Sequence, residues 1–317
     1  MKKMVKTMLT MALASALALT AACTPATPDA PVVDVKVNDV AAVVDDTSET
    51  TDVPEAADEV SEVSEVSEVS DSSDLDYLKG NGKIVIGYTD YAPMNYFDES
   101  GNLTGFDTEF AEAVCEKLGL APEFIEIDWN TKEIELNAKS IDCIWNGMTI
   151  TPDRTENMSI SLPYVKNAQV MVVKADSDVV STADLIGKAV VAESGSAGEM
   201  QVVGSEDSPP EENLAQSLYV AVGKQTACLL EVKAGTADAA VLDWTLAKSM
   251  VGPGTDFEDL RMVDGLELAA EEYGIAFRKD SDVTAAVNDA IVALVADGTL
   301  GALAEKYELA LAPAIQQ

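Results

Sequence analysis

"SIDCIWNGMTITPDR", residues 140 to 154, sets the reading of the whole chain. Residues 141–145 form a short, mostly apolar run of strand length. Gly147 breaks it, small polar residues follow, and the stretch ends on Arg154. Arginine is scarce: the chain holds only Arg154, Arg261 and Arg278 against 56 acidic residues, so each is expected to have a particular job. A planar guanidinium can meet both oxygens of a carboxylate at once, which a lysine ammonium cannot. Just past a strand and a glycine turn, Arg154 raises the question of what needs a guanidinium there. The bland answer is an ion pair with its neighbours Asp153 or Glu156.

Working outward, strands are expected over 83–88, 123–127, 169–173, 189–192, 217–221, 239–242 and 274–278. Helices are expected over 107–118, where Phe106, Phe110, Val114 and Leu118 fall four apart, and over 131–138, 198–203, 225–234 and 300–307. Val283, Val287, Ala290, Ile291, Leu294 and Val295 form the apolar face of one more, longer helix. The residues ahead of 274 read as less regular. Strands alternating with helices imply an α/β protein with parallel sheets wrapped by helices. About 230 residues is much for one such sheet, which favours two lobes. Neither a GxGxxG nor a Gly-Lys-Ser/Thr phosphate loop occurs, so nucleotide binding is not expected.

Ahead of this region the chain changes character. Lys2, Lys3 and Lys6 precede an uncharged, mostly apolar run over 8–22, which reads as a secretory signal peptide of residues 1–22. Leu19-Thr20-Ala21-Ala22-Cys23 resembles a bacterial lipoprotein processing site, with the leucine one place further back than usual. That resemblance makes Cys23 the lipidated N-terminus, with ordinary cleavage as the alternative. Residues 24–79 are acidic and nearly free of aromatics, and "SEVSEVSEVS" at 61–70 repeats every three residues. That period fits neither helix nor strand, so residues 23–79 read as a lipidated cysteine plus a disordered tether spanning roughly 40 Å. The folded part is expected from near Gly80.

A net charge of −36 repels nucleic acid and anionic lipid. Its simplest role is solubility. Histidine, the commonest general base and a frequent metal ligand, is absent. Cys115, Cys143 and Cys228 have no metal-type spacing and read as small buried residues. A Cys115–Cys143 bridge stays open without support. No cofactor and no metal are expected.

Six stretches, in order, carry a resemblance. They are "GYTDYAPMNYFDESGNLTGFDTEFAEAV" (87–114), residues 140–154, "SLPY" (161–164), "ADLIGKAVVAESGS" (183–196), "LEVKAGTADAAVLD" (230–243) and "YGIAFRK" to "DGTLGALAEKY" (273–307). Together they are similar to the bacterial extracellular solute-binding proteins of the polar amino-acid type, the binding components of ABC importers. The resemblance implies a two-lobed, type II periplasmic-binding-protein-like fold with two hinge crossovers. Lobe 1 would hold 80–168 and 272–311, lobe 2 would hold 169–271, and the hinges would lie near 167–170 and 269–273.

The resemblance also assigns roles. Arg154, Thr149, Ser196 and Ala197 would hold a ligand carboxylate. Asp243 and the carbonyl of Gly147 would accept from its ammonium, although Asp243 could instead cap a helix over 244–250. Tyr91, Asp90, Trp145 and Glu193 would line the side-chain pocket, and Trp145 could equally be core. Ile160 and Met94 stand where the family usually has phenylalanine, so no relative's specificity carries over directly. The implied partners are an amino acid, an ABC permease with its ATPase, and the membrane through the lipid anchor, with the protein a monomer on the outer face. Two alternatives are a ligand-sensing extracellular receptor and a dehydratase-like enzyme with Glu193 as general acid.

Overall fold

The computed structural model describes residues 73–316. The expected signal peptide, Cys23 and the tether through residue 72 lie outside the described residues. The chain opens with α1 (Asp74–Asn81), β1 (Lys83–Tyr88), the small hairpin β2 (Tyr96–Phe97) and β3 (Leu103–Thr104), and α2 (Phe106–Leu118). Then come β4 (Ala121–Glu126), α3 (Lys132–Asn137), β5 (Cys143–Thr149), α4 (Pro152–Asn157), β6 (Met158–Ile160) and β7 (Val165–Lys174). The middle of the chain supplies β8 (Ala189–Glu193), α5 (Ala197–Val203), β9 (Leu218–Val222), α6 (Gln225–Ala234), β10 (Ala239–Asp243) and α7 (Trp244–Met250). It closes with β11 (Leu260–Arg278), α8 (Val283–Ala296) and α9 (Thr299–Lys306). No single helix among the described residues is long and apolar enough to cross a membrane.

The strands run in the order β4-β1-β5-β11-β7-β10-β8-β9, with β6 beside β11. Pairs β1–β4, β1–β5, β8–β9 and β8–β10 are parallel, as alternating strands and helices imply. The two long strands in the middle depart from that expectation. β7 and β11 pair antiparallel, with Val165 opposite Tyr273, Asn167 opposite Glu271 and Gln169 opposite Ala269. They join the two halves of the sheet.

Period-two alternation sorts each strand's side chains onto two faces. On β7, Val170 and Val172 join the core under α6 and α7, while Met171 and Val173 face Val202 of α5. On β5, Cys143 and Trp145 turn toward α2, and Ile144 and Met148 toward Trp129 and Leu136. The four-residue spacing on α2 buries Phe106, Phe110 and Val114. Gly119 then ends that helix in a left-handed cap, its N–H donating to the carbonyls of Cys115 and Glu116. Burying a side chain such as Phe110 contributes about 2–3 kcal/mol. Cys115, Cys143 and Cys228 are buried free thiols, so the Cys115–Cys143 bridge is not formed.

Two segments correct the sequence reading. The tether expected through residue 79 is helical from Asp74. Ser73 caps α1 by accepting from the Asp76 N–H, Leu78 is buried, and Asp74 pairs with Arg278. Its acidic look hid one apolar face and one ion pair. The strand expected over 274–278 is the end of the 19-residue β11. Its earlier part is half-exposed and carries Glu267, Glu271 and Glu272, which obscured the alternation.

Candidate functional site

Ligands of α/β sheets bind outside the carboxyl ends of the strands, and the main cleft lies there. Thr89 to Tyr91 follow β1, Asn146 to Thr149 end β5, Glu193 ends β8 and Asp243 ends β10. The cleft has a volume of about 350 Å³ counting its mouth. Arg154, Thr149, Ser196, Ala197, Asp243, Gly147, Tyr91, Asp90 and Glu193 all line it.

Arg154 sits in the first turn of α4, where Thr151 caps the helix by accepting from the Arg154 N–H at 3.3 Å. Its side chain is buried but forms no ion pair among the described residues, so the alternative of a bond to Asp153 or Glu156 is not realised. It donates only to carbonyls: Nη1 to Thr149 at 2.7 Å and Nη2 to Gly195 at 3.0 Å. Burial pulls its pKa down, against the acidic groups Glu271, Glu133, Asp243 and Glu193 that hold it up. Beside it, buried Lys132 donates to the carbonyls of Trp129 at 3.2 Å and Gly195 at 3.0 Å. Burial, and then the like charge of Arg154, lower the Lys132 ammonium to about 7. The Gly195 loop on the β8 side is thus gripped by two cations from the β5 side.

Asp243 stands at the N-terminal end of α7 but caps it with no side-chain bond. Instead its carboxylate accepts from Asn167 at 2.5 Å, Gln169 at 2.8 Å and the amide of Gln225. The same Asn167 and Gln169 amides reach Glu271 at 3.1 and 3.0 Å, and the Thr149 hydroxyl donates to Glu271 at 2.9 Å. Burial of its carboxylate, and then Asp243, push Glu271 up to about 7. The junction strands β7 and β11 are therefore wired directly to the cleft.

Gly147 is held from below. Its N–H donates to Asp107 at 2.6 Å, and the Tyr164 hydroxyl donates to the same oxygen at 2.9 Å. Burial raises Asp107 to about 7. Only glycine fits at 147: its φ is +55°, and an added Cβ would lie 2.6 Å from the Tyr91 ring. The Tyr91 hydroxyl bonds those of Thr245 and Tyr273, each at 2.6 Å. Ser196 caps α5 by accepting from the Glu199 N–H at 3.0 Å. Asp90 is exposed at the mouth. Glu193 is 4% exposed, and its carboxylate makes no hydrogen bond or ion pair among the described residues. Burial first, and then Asp243, raise it to about 8.

Trp145 is a correction. It packs edge-on against Phe110 at 5.2 Å in the core and does not reach the cleft. The alternation on β5 that sends Asn146 toward the cleft sends Trp145 to the opposite face. The tryptophan on the cleft wall is Trp129, whose ring lies 5.8 Å from the Arg154 guanidinium carbon. It follows β4 just as the other site residues follow their strands, and that position was the available signal. Asn146, Lys132 and Gln225 were also passed over. Asn146 bonds Thr89 and Asn95 and ties the β1 and β5 loops together.

Comparison with known proteins gives the family and the fold. Residues 84–310 match the profile of the bacterial extracellular solute-binding proteins, family 3. The chain is similar to the arginine-binding extracellular protein ArtP of Bacillus subtilis (strain 168), 32% identical over 231 residues, covering 72% of this chain and 87% of the relative. It is also similar to the L-cystine-binding protein TcyJ of Escherichia coli (strain K12), 30% identical over 237 residues, covering 74% and 85%. Among solved structures, the P235GK mutant of ArgBP from T. maritima superposes with a TM-score of 0.67 at 33% identity, covering 74% of this chain and 98% of that one.

Proposed function

The chain belongs to family 3 of the bacterial extracellular solute-binding proteins, and from that premise we propose that it captures a free amino acid in the cleft and delivers it to an ABC permease. The observation that carries this reading is the buried guanidinium of Arg154, which makes no ion pair among the described residues. The α-carboxylate of the ligand supplies that charge. Thr149, Ser196 and the Ala197 N–H complete the carboxylate site. Asp243 and the Gly147 carbonyl accept from the ammonium, and the ligand ammonium takes the place of one or more amide donors now on Asp243. The side chain lies between Tyr91 and Trp129 and ends near Glu193 and Asp90.

Lobe 1 comprises 80–168 and 272–311 with α1 added to it, and lobe 2 comprises 169–271. β7 and β11 serve as the hinges. A ligand that touches both lobes favours the form in which they meet. A permease with its ATPase receives the ligand, and Cys23 holds the protein to the outer face of the membrane through lipid.

The test is a thermal-shift panel of the twenty amino acids with ornithine and cystine, run on the protein and on Arg154→Ala. A ligand that binds only the native state raises the midpoint by mass action. At least one amino acid is expected to shift the wild type and to leave a folded Arg154→Ala unmoved. No shift of the wild type by any of them would remove the roles given to Arg154 and Asp243.

A further inference from the structure

We propose that Glu193 selects amino acids with a cationic side chain, its carboxylate pairing with the guanidinium or ammonium at the far end of the ligand. This deepens the amino-acid reading above and rests on it. Among the carboxylates around the cleft, Glu193 is set apart by its partners. Asp243 accepts from three amides, Glu271 from two amides and a hydroxyl, and Asp107 from an N–H and a hydroxyl. Glu193 is more than nine-tenths buried, lines the cleft and accepts from nothing among the described residues. A carboxylate mostly buried, facing the cleft and without a protein donor is poorly solvated, and a ligand cation would supply the missing partner.

The charges in the cleft lead to the same place. The ligand carboxylate neutralises Arg154, and its ammonium neutralises Asp243. Lys132 is committed to the carbonyls of Trp129 and Gly195, and Glu271 to its amides. Glu193 is then the inner carboxylate with neither a hydrogen-bond donor nor an ion pair among the described residues, and Asp90 at the mouth is a second acidic group. A neutral side chain leaves Glu193 without a partner, and an acidic one would repel it. A cationic side chain pairs with it, and the Trp129 and Tyr91 rings give its stem and cation flat faces to lie against.

A protonation consequence follows. Glu193 is raised to about 8 by burial and Asp243 on β10, then lowered by Lys132 on α3 and Arg154 on α4, with Asp128 ahead of α3 raising it again. A ligand cation displaces the proton held there near neutral pH.

L-arginine and L-citrulline, which share their shape but not their charge, test this by calorimetric titration. The wild type is expected to prefer arginine by on the order of 100-fold, the effect of a buried charge pair. Glu193→Gln is expected to narrow that preference to a few-fold. Arginine binding near pH 7 should release a proton, read from titrations in buffers of different ionisation enthalpy, and Glu193→Gln should abolish that release. If citrulline or another neutral amino acid binds the wild type as tightly as arginine, the role of Glu193 is overturned while the amino-acid receptor stands. If no amino acid binds, both fail together.

Discussion

Arg154 and Arg278 are both largely buried, and their surroundings differ in one respect. Arg278 pairs with Asp74 at 3.1 Å and Asp142 at 3.3 Å and donates to the Ile141 carbonyl at 3.0 Å. Its charge is balanced within the protein, and it fastens α1 to β11. Arg154 has only the two carbonyls of Thr149 and Gly195. Arg154 makes no ion pair among the described residues, and the proposed function gives it a partner from outside. On the proposed function the paired arginine is structural and the unpaired one at the cleft is the binding group.

The contrast breaks if the two behave alike on truncation. Arg154→Ala should weaken amino-acid binding by about 2–5 kcal/mol, the effect of stripping one partner from a buried charge pair. Isothermal titration measures it. Arg278→Ala should leave affinity within a few-fold and instead lower unfolding free energy by about 3 kcal/mol, read by denaturant melts. Equal losses of affinity in the two variants would refute the distinction.

Protonation sharpens it further. Glu193 rises from its usual 4.5 to about 8, and Glu271 from 4.5 to about 7. Between those limits the native state binds more protons than the unfolded chain, so these groups stabilise at low pH and lose that stabilisation as pH rises. Lys132, lowered from 10.5 to about 7, acts the other way only above neutrality. Without added amino acid the melting temperature should therefore fall between about pH 5 and pH 8, and Glu193→Gln should shrink the fall. Repulsion among the surface acids acts in the same direction, so the difference between variant and wild type is the quantity to read. A slope unchanged in the variant would place the Glu193 proton elsewhere.

The smallest effect concerns Trp145. Trp145→Phe should cost about 1–2 kcal/mol of stability through lost core packing and leave ligand preference unchanged. A shift in preference would return Trp145 to the pocket.

Trp145 also marks how far the sequence can be read. Strands with apolar runs, such as β1 and β8, and helices with a four-residue stripe, such as α2, announced themselves. Arg154, Gly147, Thr149, Ser196, Tyr91, Glu193 and Asp243 were legible through the family resemblance of the stretches that hold them, and the fold brings them to one cleft. Trp145 was misplaced because one residue of register on β5 decides between core and cleft. The supporting amides were not legible: Asn167 and Gln169 reach Asp243 from 76 and 74 residues away. Their importance exists only after β7 and β10 pair. The first half of β11 escaped for the opposite reason, since an acidic strand at a junction buries too little to show a pattern.

On the proposed function, Arg154 is reserved for a ligand carboxylate. The direct test compares the amino acid that gives the largest thermal shift with its α-carboxamide, titrated into wild type and Arg154→Ala. The wild type should prefer the free acid by on the order of 100-fold, and Arg154→Ala should show no preference. A wild type that binds acid and amide alike, or a preference that survives in Arg154→Ala, would contradict the account.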